Sequence, residues 1–220
     1  MTNTASLVAI LLIYRKDIIR LICGFIGYIR TQEGRYKPDF LFVIYIVVGS
    51  IPAGVLGLLL SDIISASTSM TTVAIMLFVT GIALWLIRNM RGRKTDGDIS
   101  AKDALLVGFG QAVALTPGIS RSGATVISAI AVGMRQDTAL RFSFMLYIPV
   151  SLGTIVLGIS DFLGESNKAE LALPYAVTFI TTVIVTYMAM KWFMGIMKKG
   201  KLHYYAYYCF AMGSFLLIYF

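Results

Sequence analysis

Long apolar runs, separated by short polar and mostly basic segments, set the pattern of this 220-residue chain. Five of the runs come close to the ~20 apolar residues that a helix needs to cross a ~30 Å hydrocarbon core. They predict spans at about 39–60, 70–87, 142–159, 171–190 and 204–220. Pro52 and Gly54 mark a kink in the first and Pro149 interrupts the third, while Gly81 permits close packing in the second. Residues 5–14 are apolar too, but they are closed by Arg15, Lys16 and Asp17 before reaching spanning length. Residues 18–29, flanked by charge at Arg20 and Arg30, predict an interfacial or partly buried helix. Between the spans, 61–69 reads as a polar loop without Lys or Arg, and 160–170 as an acidic one.

One stretch breaks the pattern. Thr116-Pro117-Gly118-Ile119-Ser120-Arg121-Ser122-Gly123 sits between the apolar runs 104–115 and 124–132. Pro117 has no backbone N–H and disfavours helical geometry at Thr116, so a helix should stop there; Gly118 and Gly123 permit a turn and close backbone approach. Twelve residues of helix rise only ~18 Å, too little to cross the core. Ser100, with Asp103 three residues on, has the form of a helix start for the first of these runs.

The charges say how that element is folded. Of the 19 Lys and Arg, all but Lys168 and Arg121 fall on one face if the spans alternate in direction, and the positive-inside rule makes that face cytoplasmic. The assignment works only if the basic loops 88–102 and 133–141 lie on the same side. Residues 104–132 are therefore expected to enter and return as a re-entrant helical hairpin, its tip at mid-depth. At 58% hydrophobic and 14% charged residues, the composition excludes a soluble domain. It predicts an all-α integral membrane protein, a multi-span helical bundle forming a single domain over 1–220. The net charge of +8 follows topology rather than one polar face, so nucleic acid is not an expected partner. Cys23 and Cys209 are isolated, which supports neither a disulfide nor a metal site, and the N-terminus lacks the basic region of a signal peptide.

The chemistry suggested by the broken stretch is anion binding. Ser120 and Ser122 supply hydroxyls and Arg121 a fork of N–H donors matched to phosphate. The helix restarting near Ser122 adds free amides and a positive dipole end. An intramembrane ionisable residue is a functional-site candidate by default. Ser120 or Ser122 could act as a nucleophile, but no His or carboxylate adjoins either in sequence to activate it, so both are read as binding residues. Gln111, on the incoming helix, either contacts a phosphate or makes an interhelical hydrogen bond, and Thr125 caps the helix or lines the pocket. Arg135 and Arg141 read as anchors on the basic face, and His203 as an interfacial residue of the last basic loop.

The stretch Gln111-Ala-Val-Ala-Leu-Thr-Pro-Gly-Ile-Ser-Arg-Ser-Gly-Ala-Thr125, followed by Arg141-Phe-Ser-Phe144 and Ile148-Pro-Val150, resembles the undecaprenyl-pyrophosphate phosphatases, the bacitracin-resistance membrane phosphatases. The resemblance runs from about Ala5 to the C-terminus. It implies a helical bundle with two re-entrant hairpins arranged as an inverted repeat. The implied activity is hydrolysis of undecaprenyl diphosphate to the monophosphate, which recycles the lipid carrier for peptidoglycan synthesis and confers bacitracin resistance. The phosphate-binding motif would fall on Gly118, Ser120, Arg121, Ser122 and Gly123. A divalent cation (Mg or Ca), a polyprenyl diphosphate lipid and a bacterial inner membrane are implied as well, with a homodimer left open. The family's N-terminal signature, of the form E-G-x-T-E-x-L-P-I-S-S-T-G-H, carries the residues attributed to metal binding and catalysis, and it is not found here. The chain is thus expected to hold one hairpin of the repeat and no metal ligands of its own. A polyprenyl-phosphate binder or transporter, or a catalytically inactive truncated homologue, are the alternatives.

Overall fold

The structure, a computed structural model, describes residues 2–59, 69–163, 168–198 and 201–219. Residues 61–68 of the expected loop 61–69 and residues 164–167 of the acidic loop 160–170 lie outside the described residues; residues 160–163 and 168–170, read as loop in the sequence, belong to helices. The elements in chain order are α1 (Thr2–Ile13), α2 (Arg15–Thr31), α3 (Lys37–Leu59), α4 (Met70–Ile87), α5 (Ala101–Val113), α6 (Arg121–Ala131), α7 (Gln136–Leu163), α8 (Lys168–Lys198) and α9 (His203–Tyr219). Short 3-10 turns at Gly34–Tyr36 and Asp96–Asp98 precede α3 and α5. Among the described residues there is no strand, and the protein is an all-α membrane protein. Among the described residues four helices are long and apolar enough to cross a membrane, over Gly34–Leu59, Met70–Ile87, Gln136–Val156 and Leu173–Met197. Pro52, Pro149 and Pro174 lie inside α3, α7 and α8 without ending them. In α2, Ile19, Ile22, Ile26 and Ile29 form an exposed apolar stripe at helical spacing, while Leu21 and Gly24 face the bundle.

The two short helices α5 and α6 fold back on each other, because the outer end of one is stitched to the outer end of the other. The amides of Arg93 and Lys94 both donate to the Gly133 carbonyl at 2.9 Å, and the Arg135 amide returns a bond to Lys94 O at 2.9 Å. Lys94 then reaches Asp103 in the first turn of α5, its ammonium 2.7 and 2.9 Å from the two carboxylate oxygens. Asp103 also closes a capping box with Ser100, the helix start read in the sequence. Burial pushes the Asp103 carboxyl up, but the bonds from Lys94 and Ser100 outweigh it and hold the group below its ordinary range.

Small residues seat this pair in the bundle. At Gly108 of α5 an added Cβ would stand 2.2 Å from the Gly49 carbonyl oxygen of α3, and at Gly49 it would stand 3.0 Å from Ala104 O. The two backbones touch, as small-residue stripes allow in apolar surroundings. On its other side α6 packs on α7 and α4. Arg141 of α7 is ion-paired to Asp96 and lies 3.7 Å from Asp17. Arg20 bridges Asp39 at 3.3 Å and Asp96 at 3.4 Å, while Arg135 pairs with Asp137 at 3.2 Å. Arg20 and Arg141 tie helix ends together on the basic face, while the Arg135 pair is local to the start of α7.

Replacing Gly108 by Leu must separate α3 from α5. A loss of about 1–3 kcal/mol is expected, read as a lower melting temperature in detergent; an unshifted transition would show that the backbones do not touch. For Asp103 the sign follows from its lowered folded value. Its pairing contributes above the unfolded pKa of about 3.9 and is lost as pH falls through the folded one. Asp103→Asn is therefore expected to be less stable than the parent at neutral pH, with the gap closing below about pH 4. A gap independent of pH would contradict this.

Candidate phosphate-binding site

The turn between α5 and α6 is built on Gly118, whose φ of 92° lies in the left-handed region. A Cβ there would also stand 2.6 Å from the Cα and carbonyl oxygen of Val73. Gly118 thus lets the tip press against the start of α4. Val73 lies roughly 21 Å of helix from Ile87, at 1.5 Å per residue, so the tip reaches toward the far end of α4. The arm α5 ends at Val113 and residues 114–120 form the turn.

The turn ends on Ser120, the N-cap of α6. Its hydroxyl accepts from the Gly123 amide at 3.2 Å and lies 2.8 Å from the Tyr205 hydroxyl of α9. Helical bonding begins with the Ala124 amide to Ser120 O at 2.8 Å. The amides of Arg121 and Ser122 come before it, at the positive end of the α6 dipole. Gly123 lies close against the Ser120 side chain and Thr80 of α4.

A cavity of about 270 Å³ opens beside this helix start, lined by Gln111, Arg121, Ser122 and Thr125 from the hairpin. Ser6 of α1, Ser143 and Tyr147 of α7 and Thr186 of α8 close it from the opposite side. The sequence-derived residues therefore divide into two groups. Arg121, Ser122, Gln111 and Thr125 face a common space, whereas Gly118, Ser120 and Gly123 build the turn that aims them. Among the described residues, no carboxylate oxygen lies within 4.0 Å of the Arg121 guanidinium. Gln111 is 1% exposed, yet neither its amide nitrogen nor its oxygen has a hydrogen-bond partner. Thr125 donates instead to Arg121 O and Ser122 O, both at 3.1 Å, so its hydroxyl is engaged by its own helix.

Sequence reasoning missed Ser143, Tyr147 and Tyr205. Ser143, Tyr147 and Ser151 recur every fourth residue in an apolar run, a polar stripe on one face of α7 that periodicity could have exposed. Tyr205 carries no such signal, since α9 is rich in tyrosine throughout. His203, half-buried, stacks on Tyr204 with ring centroids 4.5 Å apart and is absent from the cavity lining.

A second recess of about 400 Å³ adjoins the first and shares Ser122, Phe144 and Met190 with it. Its lining is mostly apolar and aromatic, with Trp192, Phe193 and Ile196 of α8 facing Tyr204, Tyr205 and Tyr208 of α9. A cationic, donor-rich chamber thus opens beside an apolar groove. Among the described residues no group of three His, Cys, Asp or Glu stands together, and no such side chain lines the 270 Å³ cavity. Neutral oxygen and nitrogen donors beside a guanidinium suit an anion. They do not fit a divalent cation.

The family described as bacitracin resistance protein BacA matches residues 1–215. The chain belongs to that family. Among BacA relatives, a protein of Oceanobacillus iheyensis named undecaprenyl-diphosphatase is 53% identical over 220 residues, covering 99% of this chain and 80% of its own length. Undecaprenyl-diphosphatase 1 of Bacillus cereus is also 53% identical, covering 100% of this chain and 82% of itself. The Halalkalibacterium halodurans protein of the same name is 48% identical over 218 residues. In this BacA chain, Tyr205→Phe removes only the oxygen that meets Ser120. A loss of about 0.5–1.5 kcal/mol of stability is expected, and the double variant with Ser120→Ala should be no less stable than Ser120→Ala alone. Additive losses in that cycle would break the link between α9 and the cap.

Proposed function

We propose that the protein is a membrane phosphatase that hydrolyses undecaprenyl diphosphate to undecaprenyl phosphate and inorganic phosphate. This activity recycles the lipid carrier for cell-wall synthesis and confers bacitracin resistance. The observation that carries the reading is the Arg121 guanidinium at the start of α6, without an ion-pair partner among the described residues and sharing with buried donors a cavity that adjoins an apolar groove. A lipid diphosphate has the same two chemical halves. At about 270 Å³ the chamber falls just below the ~300–1,000 Å³ usual for small-molecule sites, a size for a head group rather than for a chain.

The mechanism supported by these residues is electrostatic. Arg121, the Ser122 hydroxyl and the leading amides of α6 hold phosphoryl oxygens and stabilise the negative charge spread over them in the transition state. Gln111, Thr125 and Ser143 in its walls are buried, and the lower dielectric on that side strengthens each of these interactions. Breaking the phosphoanhydride places the terminal phosphoryl group on water and leaves the lipid monophosphate. The turn holds Ser120 as a cap and Thr125 bonds to its own helix, so neither is assigned the attack. Gly118 and Gly123 serve as the substrate-binding frame, fixing the approach of the α6 amides.

The bacterial plasma (inner) membrane is the proposed location and a polyprenyl diphosphate lipid the proposed partner. Light scattering on solubilised protein distinguishes a homodimer from a monomer. The principal test is phosphate release from farnesyl diphosphate by the purified chain. Arg121→Ala is expected to lower kcat/KM by about 10²–10³-fold, and Arg121→Lys by less, because an ammonium keeps charge without the planar fork. Chelation with EDTA, followed by restoration with Mg or Ca, reports whether a divalent cation takes part. If the parent chain binds the lipid diphosphate without releasing phosphate, it is a polyprenyl-phosphate binder or transporter instead.

A further inference from the structure

We infer that Ser143 of α7 is a substrate-phosphate ligand, completing with Gln111 the wall of the chamber that faces Arg121. The inference rests on the phosphatase reading and extends its site to a helix outside the hairpin. Ser143 is 4% exposed and its hydroxyl has no hydrogen-bond partner, although it lines the cavity shared with Arg121 and Ser122. A serine buried in a helix normally bonds back to a carbonyl of its own preceding turn, as Ser50 does to Ile46 O at 2.7 Å and Thr125 does to Arg121 O at 3.1 Å. Ser143 makes no such bond. A buried polar group left unmatched weakens the fold, and such groups are rare enough that each calls for a reason.

The pattern around it supplies one. Ser151, two turns further on, lies 3.5 Å from the Asn3 side-chain oxygen, and Tyr147 donates to that same atom, so the rest of the stripe is used to hold α1. Ser6 is spent on Thr186 at 3.4 Å. Among the described residues, the unmatched buried side-chain atoms of the chamber are those of Gln111 and Ser143. They stand on two helices, α5 and α7, that line the same chamber as Arg121, which has no ion-pair partner among the described residues. One hydroxyl and one carboxamide offer up to three N–H and O–H donors, the complement of phosphoryl oxygens. The bound head group would satisfy donors that the protein leaves open, so this wall binds the ground state rather than acting on the bond that breaks.

The prediction separates this role from a structural one by sign. Ser143→Ala should melt at the same temperature as the parent or higher without substrate, since it deletes an unmatched polar atom. In the same preparation KM for farnesyl diphosphate should rise about five- to tenfold with kcat within twofold, and Ser143→Thr, which restores the hydroxyl, should recover most of the affinity. A lower melting temperature for Ser143→Ala, or an unchanged KM, overturns the inference while leaving the phosphatase reading in place. A parent chain that releases no phosphate, whatever Ser143 does, overturns the phosphatase reading and this inference with it.

Discussion

The contact on which the rest depends is backbone against backbone, between Gly49 in α3 and Gly108 in α5. It brings the incoming arm of the fold-back deep enough into the bundle for its turn to reach α4. The turn then fixes the start of α6, and that start orients Arg121. Each stage leaves little freedom to the next. Phosphate chemistry needs donors held in place before the charge arrives, and this chain holds them by van der Waals contact between small residues rather than by a polar scaffold. Where the scaffold is polar, at Ser120 with Tyr205 and at Asp103 with Lys94, it works at the ends of helices, where amides and carbonyls lack partners of their own.

Much of this was legible in the residues. The apolar runs gave the helices because spanning length and composition leave few options. The distribution of Lys and Arg gave the fold-back, since loops 88–102 and 133–141 had to meet; the bonds of Arg93 and Lys94 to Gly133 join them. Proline and two glycines around Ser120–Ser122 marked the turn because each acts on backbone geometry alone. What stayed hidden depends on which helices touch. No local rule says that α9 supplies the hydroxyl meeting Ser120, or that Ser143 comes to face Arg121. The division of labour was hidden as well: Ser120 and Ser122 look equivalent in sequence, and only the N-cap geometry assigns one to the turn and the other to the chamber.

Arg141 shows how the same residue type takes different roles by its surroundings. It sits two residues from Ser143, yet its guanidinium is engaged by Asp96 and Asp17 at the helix ends. Arg121, half-buried, has no such counter-ion among the described residues, and a partly desolvated cation without one is costly unless a ligand balances it. The difference between an anchor and a binding group is thus one of company.

The two ends of the fold-back are held by unlike forces. Its wet end relies on ion pairs such as Arg20 with Asp96, with side chains 45% and 24% exposed; pairs this open contribute little and fade as ionic strength rises. Its inner end relies on close apolar contact with Val73, which dissolved salt does not screen. Concentrated electrolyte should therefore slacken the basic end of the fold-back while the packed tip keeps its shape, so that the cell's ionic surroundings are felt far from the turn that carries Arg121.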